Sequence, residues 1–543
     1  MAQFLAVSAW RSVFVYNDTD VMRKASTSFL RHGRIPTRHR TPRSYSTEAT
    51  EPTVKITTLP NKIRVATEAT PGHFSSVGLY VDGGSRYEWS EVSGVSHFLD
   101  RMAFKSTRTR TDEEVSTAVH SLGGQIMCSS SRESIMYQSS HFHQATPLAL
   151  SLIADTVLNP SFHAEEIEAQ RDAAFYEVRE INSKPDMILP EILHSVAYGG
   201  TGLGNPLLCP EDRINLIDEL TLRNGMKEWY RPERMVVAGA GMQHEELVEL
   251  TDKFFSSLKS PVASQSTTSR ANVNPSIPTH LLNTPTPSVA KSLTRAASYL
   301  FPNTASFPAI PKSPTSTYTG GHRFVHDPKA EFNHLYVAYE GVGIHDDDIY
   351  ALATMQVLLG GGGSFSAGGP GKGMYSRLYT HILNHYPQID HCASFHHIYT
   401  DSSLFGLFAS FVPASSGLRN GNTPGQILPH LVHQLSLLLY TAIPSVELNR
   451  AKNQLKSSLM MALESRAVEV EDLGRQILVH GRKVPITEMT EKIDQVDSNA
   501  IRRVAAKVFG PESGSKPTVV SMGHEDTGSF NEVFRKYGLA ADN

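Results

Sequence analysis

The chain has 543 residues, 40% of them hydrophobic and 19% charged, a composition typical of a globular protein that can bury large cores. It contains no run of 18 apolar residues, so no membrane-spanning helix is expected. The formal net charge is −4, and because the first 45 residues carry +6, the remainder carries −10, which argues against a nucleic-acid-binding protein.

The first 45 residues differ from the rest of the chain, because they hold eight basic side chains and only two acids, Asp18 and Asp20. This Ser/Thr-rich composition is typical of a mitochondrial transit peptide, whereas a secretory signal needs one compact apolar run. The run 43–46, Arg-Ser-Tyr-Ser, has the form of an arginine-proximal cleavage site. Residues 1–45 are therefore predicted to direct the chain to the mitochondrial matrix. A basic tail that binds an acidic partner is the alternative.

Residues 46–255 alternate strand and helix patterns and are predicted to form the first of two domains. Residues 76–81 have the apolar pattern of a strand, and a helix pattern follows over 94–105. Further on, residues 213–229 are predicted to be helical and to precede a strand at 235–239. Strands that alternate with long helices in this way predict the α+β class.

The predicted helix 94–105 carries His97, Asp100 and Arg101 at positions i, i+3 and i+4, which share one helical face. The inverted zinc-peptidase motif places His, Glu and His at this spacing. Here the acid is one methylene too short, and Arg101 has no lone pair to give a metal. A catalytic zinc needs three protein ligands, so the pattern predicts a degenerate site with no metal and no catalytic residue. We expect His97 to be a hydrogen-bonded core histidine; a zinc ligand in an active peptidase is the alternative.

Residues 256–322 interrupt the alternation and are rich in Ser, Thr, Pro and Asn. Such a composition cannot build a packed core. The segment is therefore predicted to be a disordered insertion or a linker between two halves of similar length.

Residues 323–543 are predicted to form a second domain that repeats the first. A strand pattern at 334–339 precedes a helix pattern at 349–359, as in the first half. Near the end of the chain, a helical stretch at 488–509 precedes a strand at 518–522, which parallels residues 213–239.

The second predicted domain contains a glycine-rich segment at 360–373, in which eight of fourteen residues are glycine. Glycine visits positive φ freely and lets bare backbone approach a ligand, at a large cost in ordering entropy. The segment is not a P-loop, because Lys372 is followed by Gly373 instead of Ser or Thr and Ser366 stands where the first glycine belongs. It also follows a helix, which excludes the dinucleotide fingerprint. A plain surface loop is the alternative to a ligand-binding one.

The His97 helix motif, the run 198–207 and above all the glycine-rich segment with its continuation 374–379 make the chain similar to the pitrilysin-type metallopeptidase family. Within this family, the chain resembles the non-catalytic subunits of heterodimeric members, over residues 53–543 except the insertion. The resemblance implies two related α/β halves joined by a linker around a clam-like chamber. It also implies that Glu177 is the third position of the degenerate metal site, beside His97, Asp100 and Arg101.

In this family the zinc-bearing subunit cleaves, and the non-catalytic one recognises basic presequences of imported precursors. The resemblance therefore implies no zinc in this chain and a zinc-bearing beta subunit as its partner. Asp346, Asp347 and Asp348 are weak candidates for contacts with presequence arginines, with helix capping as the alternative. A structural core subunit of the cytochrome bc1 complex is the alternative function, although such a subunit has no need of the glycine-rich segment. The implied substrate-binding residues are Gly360, Gly361, Gly362, Gly363, Ser364, Phe365, Ser366, Ala367, Gly368, Gly369, Pro370, Gly371, Lys372 and Gly373.

Overall fold

The computed structural model describes residues 53–259, 315–363, 374–417 and 421–541. The predicted transit peptide, most of the predicted insertion and residues 364–373 of the glycine-rich segment lie outside these ranges. Within them, the first half of the chain has the strands β1 Val54–Thr58, β2 Arg64–Glu68, β3 Phe74–Asp82, β4 Gln125–Ser130, β5 Ser134–Phe142 and β6 Met235–Ala240. Its helices are α1 Val95–Arg101, α2 Asp112–Ser121, α3 Thr146–Leu158, α4 Ala164–Asn182, α5 Pro185–Ala197, α6 Glu219–Trp229 and α7 His244–Phe255.

The second half has a closely related set of elements. Its strands are β7 Gly321–His326, β8 Asn333–Val342, β9 Gly361–Gly363, β10 Ile389–Ile398, β11 Ser402–Phe411 and β12 Thr518–Gly523. Its helices are α8 Ile349–Leu359, α9 Pro424–Tyr440, α10 Ser445–Leu463, α11 Arg466–His480, α12 Ile486–Asp494, α13 Ser498–Phe509 and α14 Asn531–Lys536.

The two sheets repeat one topology in the described part of the chain. The strand order is β1-β2-β6-β3-β5-β4 in the first sheet and β7-β12-β8-β11-β10-β9 in the second. In each, one parallel pair, β2 with β6 or β7 with β12, is followed by antiparallel pairs in the same sequence. The prediction of two related α/β halves is therefore confirmed. The differences are an extra edge strand in each half, β1 in the first and β9 in the second.

Two stretches that were each predicted as a single helix are interrupted by an N-cap aspartate, at which a new helix begins. Residues 213–229 and 488–509 were each predicted as one helix, but α6 begins only after Asp218 and α13 only after Asp497. Each aspartate side chain accepts a hydrogen bond from the backbone N–H three residues further on, at 2.8 Å and 2.7 Å. The predictions were wrong there because an N-cap satisfies the free donors of a new helix start, which a helical pattern alone does not reveal.

The halves are interlocked, because each lends one helix to the other half's sheet. Leu189 and Leu193 of α5 pack against Tyr336 and Val520 of the second sheet. In return, α11 packs on the first sheet, where Gly474 approaches the Tyr80 ring so closely that a Cβ would lie 2.2 Å from it. Both faces of each sheet are therefore at least partly covered, and neither half buries its own sheet alone.

A buried ion cluster also joins the halves. The Arg86 side chain, which is 0% exposed, donates to Glu133 Oε1 at 2.5 Å and to both carboxylate oxygens of Asp401 at 2.8 and 2.6 Å. Asp401 lies in the turn between β10 and β11, whose neighbouring Thr400 N–H donates to Glu133. This cluster fixes that turn of the second half against the first.

Among the helices that the structure describes, no single one is both long enough and apolar enough to cross a bilayer. Helices α9 and α10 reach the required length and composition only as a pair, and they meet at an angle of 106°. Helix α9 contributes Leu428, Leu431 and Leu435 to the buried core of the second half.

Candidate functional site

The predicted degenerate site begins on α1, which starts directly after Gly94. Gly94 has a φ of 86°, and a Cβ there would lie 2.2 Å from Cys209 Sγ, which leaves room only for glycine. This close approach places the Cys209 backbone N–H 3.2 Å from His97 Nδ1. Because Nδ1 accepts, the ring proton sits on Nε2, which donates to Glu177 Oε2 at 3.1 Å. Helix α1 ends earlier than predicted, because Phe104 adopts a φ of 59°.

Arg101 makes the second contact with Glu177. Its Nη1 donates to Glu177 Oε2, the same oxygen that His97 reaches. The hydrogen bond from His97 and the charge of Arg101 lower the pKa of Glu177 from its usual value. The structure thus brings together three of the four residues predicted for this site.

Asp100, the fourth residue, is hydrogen-bonded to Ser130 of β4. Its Oδ2 accepts hydrogen bonds from the backbone N–H of Ser130 at 2.8 Å and from the Ser130 hydroxyl at 3.3 Å. Burial raises the pKa of Asp100, and the bonds from Ser130 oppose that rise. Asp100 therefore ties α1 to the edge strand β4 and does not stand in the place of a general base.

These residues do not fit a zinc ion. Both ring nitrogens of His97 are engaged, one as an acceptor and one as a donor, and Arg101 brings a positive charge where a dication would lie. Among the residues that the structure describes, no group of three or more His, Cys, Asp or Glu side chains is placed to hold a metal. Glu177 is therefore a single possible ligand, whereas catalytic zinc requires three from the protein. The hydrogen bond from Arg101 to Glu177 instead connects α1 with α4.

We predict that Glu177→Gln lowers the free energy of unfolding at pH 7 by about 1 kcal/mol, because a charge-assisted hydrogen bond is lost at a partly exposed position. The folded-state pKa of Glu177 is lowered, so its stabilisation is present above the unfolded-state value, near 4.5, and is lost as the pH falls through the folded-state value. Urea denaturation at pH 7 and pH 4 checks both statements.

The matched control for Glu177→Gln is Glu180→Gln on the same helix, because Glu180 pairs with Lys184 at 2.7 Å on the open surface. This change should cost only a few tenths of a kcal/mol. Equal costs for the two variants at pH 7 would show that the contact with Arg101 contributes nothing beyond an ordinary surface ion pair.

The glycine-rich segment starts from a rigid base. Helix α8 is mostly buried and ends at Leu359, and the Gly360 that follows it has a φ of 59°. A Cβ on Gly361 would lie 2.1 Å from the carbonyl oxygen of Cys392, because Gly361–Gly363 pairs with β10 as the strand β9. The Ser394 side chain donates to the Gly360 carbonyl at 3.0 Å. Sequence analysis missed this strand, since three glycines give no strand signal.

The first four implied substrate-binding residues therefore differ in what they tolerate. A Cβ on Gly360 or Gly361 would collide with Ser376 or with β10. A Cβ on Gly362 would meet nothing within 4 Å, and one on Gly363 would make only ordinary contact with His391. The remaining positions, residues 364–373, lie outside the described residues, and their role stays a prediction.

The acidic triplet before α8 is engaged within the chain. Lys507 pairs with Asp346 at 2.8 Å and with Asp348 at 3.2 Å, and Arg503 reaches Asp348 at 2.9 Å. The Asp348 side chain makes no hydrogen bond that caps the helix it precedes. These acids fasten α8 to α13, so a contact with an external arginine would compete with these ion pairs.

Two family models match this chain, one over most of each half. The family model "Insulinase (Peptidase family M16)" matches residues 64–211, and the model "Peptidase M16 inactive domain" matches residues 219–455. The mitochondrial-processing peptidase subunit alpha of Neurospora crassa is 43% identical over 531 residues, covering 88% of both chains. Its human counterpart is 34% identical over 473 residues, covering 86% of this chain and 82% of that protein.

Two solved structures share the fold at low sequence identity. A protease from Helicobacter pylori has a TM-score of 0.69 at 19% identity and covers 87% of this chain and all of that one. A chain of complex III2 from Candida albicans has a TM-score of 0.68 at 17% identity, covering 89% of this chain and 99% of that one. At this identity the likeness concerns the fold alone.

Proposed function

The chain belongs to the M16 peptidase family, among its mitochondrial-processing peptidase alpha subunits, and from this we propose that it binds the presequences of imported precursors without cleaving them. Cleavage is assigned to a zinc-bearing beta subunit with which this chain forms a heterodimer in the mitochondrial matrix. Residues 1–45 are proposed to be the removable transit peptide, and residues 46–255 and 323–543 the two domains on either side of the insertion 256–322.

The observation that carries the non-catalytic role is the contact of Arg101 with Glu177. In place of a metal and its water, the site holds a guanidinium that donates to the only remaining acidic ligand position. A guanidinium stays protonated and cannot act as a ligand or as a base at neutral pH. The inactive-domain family match over residues 219–455 points in the same direction for the second half.

The glycine-rich segment supports the recognition role. Presequences are basic and vary in sequence, so a pocket shaped for one side chain would reject most of them. Glycine's wide range of φ suits a segment that must accept many different chains. The net charge of −10 on residues 46–543 favours the approach of basic ligands over long range.

A core subunit of the cytochrome bc1 complex is the second candidate, because the complex III2 chain of Candida albicans shares the fold. The two functions are separated by purifying the affinity-tagged protein from detergent-solubilised mitochondria. We expect one zinc-bearing M16 partner and presequence-cleaving activity that is lost when the two subunits are separated. Cytochromes in equimolar amount, without a peptidase partner, would refute the proposal, as would one equivalent of zinc on the isolated chain.

A further inference from the structure

One face of the second sheet is only partly covered by α5. This helix packs mainly on β7, β12 and β8, and it also reaches Leu404 of β11 and His397 of β10. Beyond these contacts, β11, β10 and β9 continue the same face towards the edge of the described sheet. The strand register places Tyr336, Phe408, Ala393 and Gly361 side by side in one row across that face. The next row holds Ser410, His391 and Gly363.

Aromatic rings form a continuous surface on these strands, which we call the aromatic platform and define as Tyr336, His391, Phe395 and Phe408. The Tyr336 and Phe408 rings are stacked with their centroids 4.7 Å apart. Phe395 reaches Tyr336 at 5.7 Å, and His391 lies 4.9 Å from Phe408. Tyr336 is buried, but the other three rings are partly exposed.

Small residues flatten the face beside the platform. Ala393 lies between Phe408 and Gly361 in its row, and Gly363 of β9 pairs directly with His391, so the residues beside the rings at the sheet edge carry little or no side chain. In the described sheet β9 is the last strand, and the outward side of an edge strand offers backbone donors and acceptors to an added chain. The glycine-rich segment continues directly from this strand.

Carboxylates border the platform. Asp186, in the first turn of α5, and Asp390, at the start of β10, are both exposed. Asp390 directly precedes His391 in β10, and Asp186 belongs to α5, which packs on the same sheet. Burial lowers the pKa of His391, and the charges of Asp390 and Asp186 oppose that shift. The charge of Asp186 acts in the same way on His334, the neighbour of Tyr336 on the same face two positions earlier in β8. The border of the platform therefore favours a cation.

We propose that the aromatic platform and Asp186 form the docking surface for the presequence itself, a basic segment that also carries apolar side chains. This inference rests on the proposed function and adds the place where the ligand lies. Apolar side chains of the ligand would pack on Phe395 and Phe408, and an arginine would pair with Asp186 while its guanidinium stacks on an aromatic face. The carboxylate of Asp186 suits the basic side chains of such a ligand, and the aromatic rings suit its apolar side chains. An acidic segment would be repelled by Asp186, and a purely polar segment would have nothing to pack on the rings.

The test measures the affinity of a fluorescent presequence peptide for the complex of this chain with its partner subunit, in chelator so that the peptide stays intact. Asp186→Asn should weaken binding about threefold at low salt, and Phe395→Ala about tenfold. The Asp186 effect should vanish for a peptide whose arginines are replaced by glutamine. The Phe395 effect should vanish for one whose leucines are replaced by serine. Asp252→Asn, which removes an exposed acid from α7, is the control and should leave affinity unchanged.

Thermal unfolding of each variant complex shows whether Phe395→Ala acts through loss of folding. Unchanged affinity in both Asp186→Asn and Phe395→Ala, with strong loss on replacing residues 364–373, would overturn the proposed docking surface and leave the proposed function standing. Equal losses with the original and the altered peptides would also overturn it, because the contact would then not be with those side chains. A wild-type complex that does not bind the peptide at all would refute the proposed function itself.

Discussion

Replacing Arg86 by methionine is expected to lower the free energy of unfolding by about 3–5 kcal/mol. The guanidinium is fully buried and holds Glu133 from the first half and Asp401 from the second. Without it, two carboxylates face each other with no cation between them. Burial already raises the pKa of Glu133, and Arg86 is the main influence that opposes the rise. Urea denaturation of the complex at pH 7, followed by tryptophan fluorescence, measures the loss.

Two further variants separate the charge from the geometry of this cluster. Arg86→Lys keeps the cation but cannot donate to both acids in the bidentate manner, so it should recover only part of the stability. Adding Glu133→Gln and Asp401→Asn to Arg86→Met removes the unpaired charges and should recover part of it too. If Arg86→Met unfolds no more easily than the wild type, the cluster does not hold the halves together.

The sequence predicted the repeat because each half carries its own alternation of strands and helices in the same order. It could not predict that α5, from the first half, packs on the second sheet, or that α11, from the second half, packs on the first. Both helices are apolar enough to pack on a sheet, and nothing in their periodicity states which sheet they cover. The contact between Gly474 and Tyr80 joins residues that are almost 400 positions apart, so no local pattern contains it.

For the degenerate site, the sequence correctly placed His97 and Arg101 on one helical face, because helical spacing is a local property. The pairing of Arg101 with Glu177 could be suspected only from family resemblance, since α4 lies 76 residues downstream. The role of Asp100 was out of reach, because its partner Ser130 belongs to a strand with no distinguishing pattern. The aromatic platform was equally hidden, as its rings come from three strands.

Replacing residues 364–373 by a short polar linker is expected to weaken presequence binding by the complex by at least tenfold while leaving its melting temperature unchanged. The reason is that β9 and Ser376, which lie on either side of the replaced residues, stay in place. The replaced sequence itself is glycine-rich and offers little apolar area to bury. Gly361→Ala should instead act on the stability of the fold. It forces a Cβ against Cys392 at a φ of 106°, so it should lower the melting temperature. Gly363→Ala, which has room for a Cβ, is its matched control.

The measurement that tests the central claim most directly is the presequence-peptide affinity of the reconstituted heterodimer, wild type against the 364–373 replacement, with melting curves of the same samples. The account predicts a large loss of affinity at constant melting temperature. It also predicts unchanged zinc content, because the proposed function assigns the metal to the partner subunit. Unchanged affinity with a lowered melting temperature would contradict it, since the segment would then stabilise the fold and recognition would have to lie elsewhere.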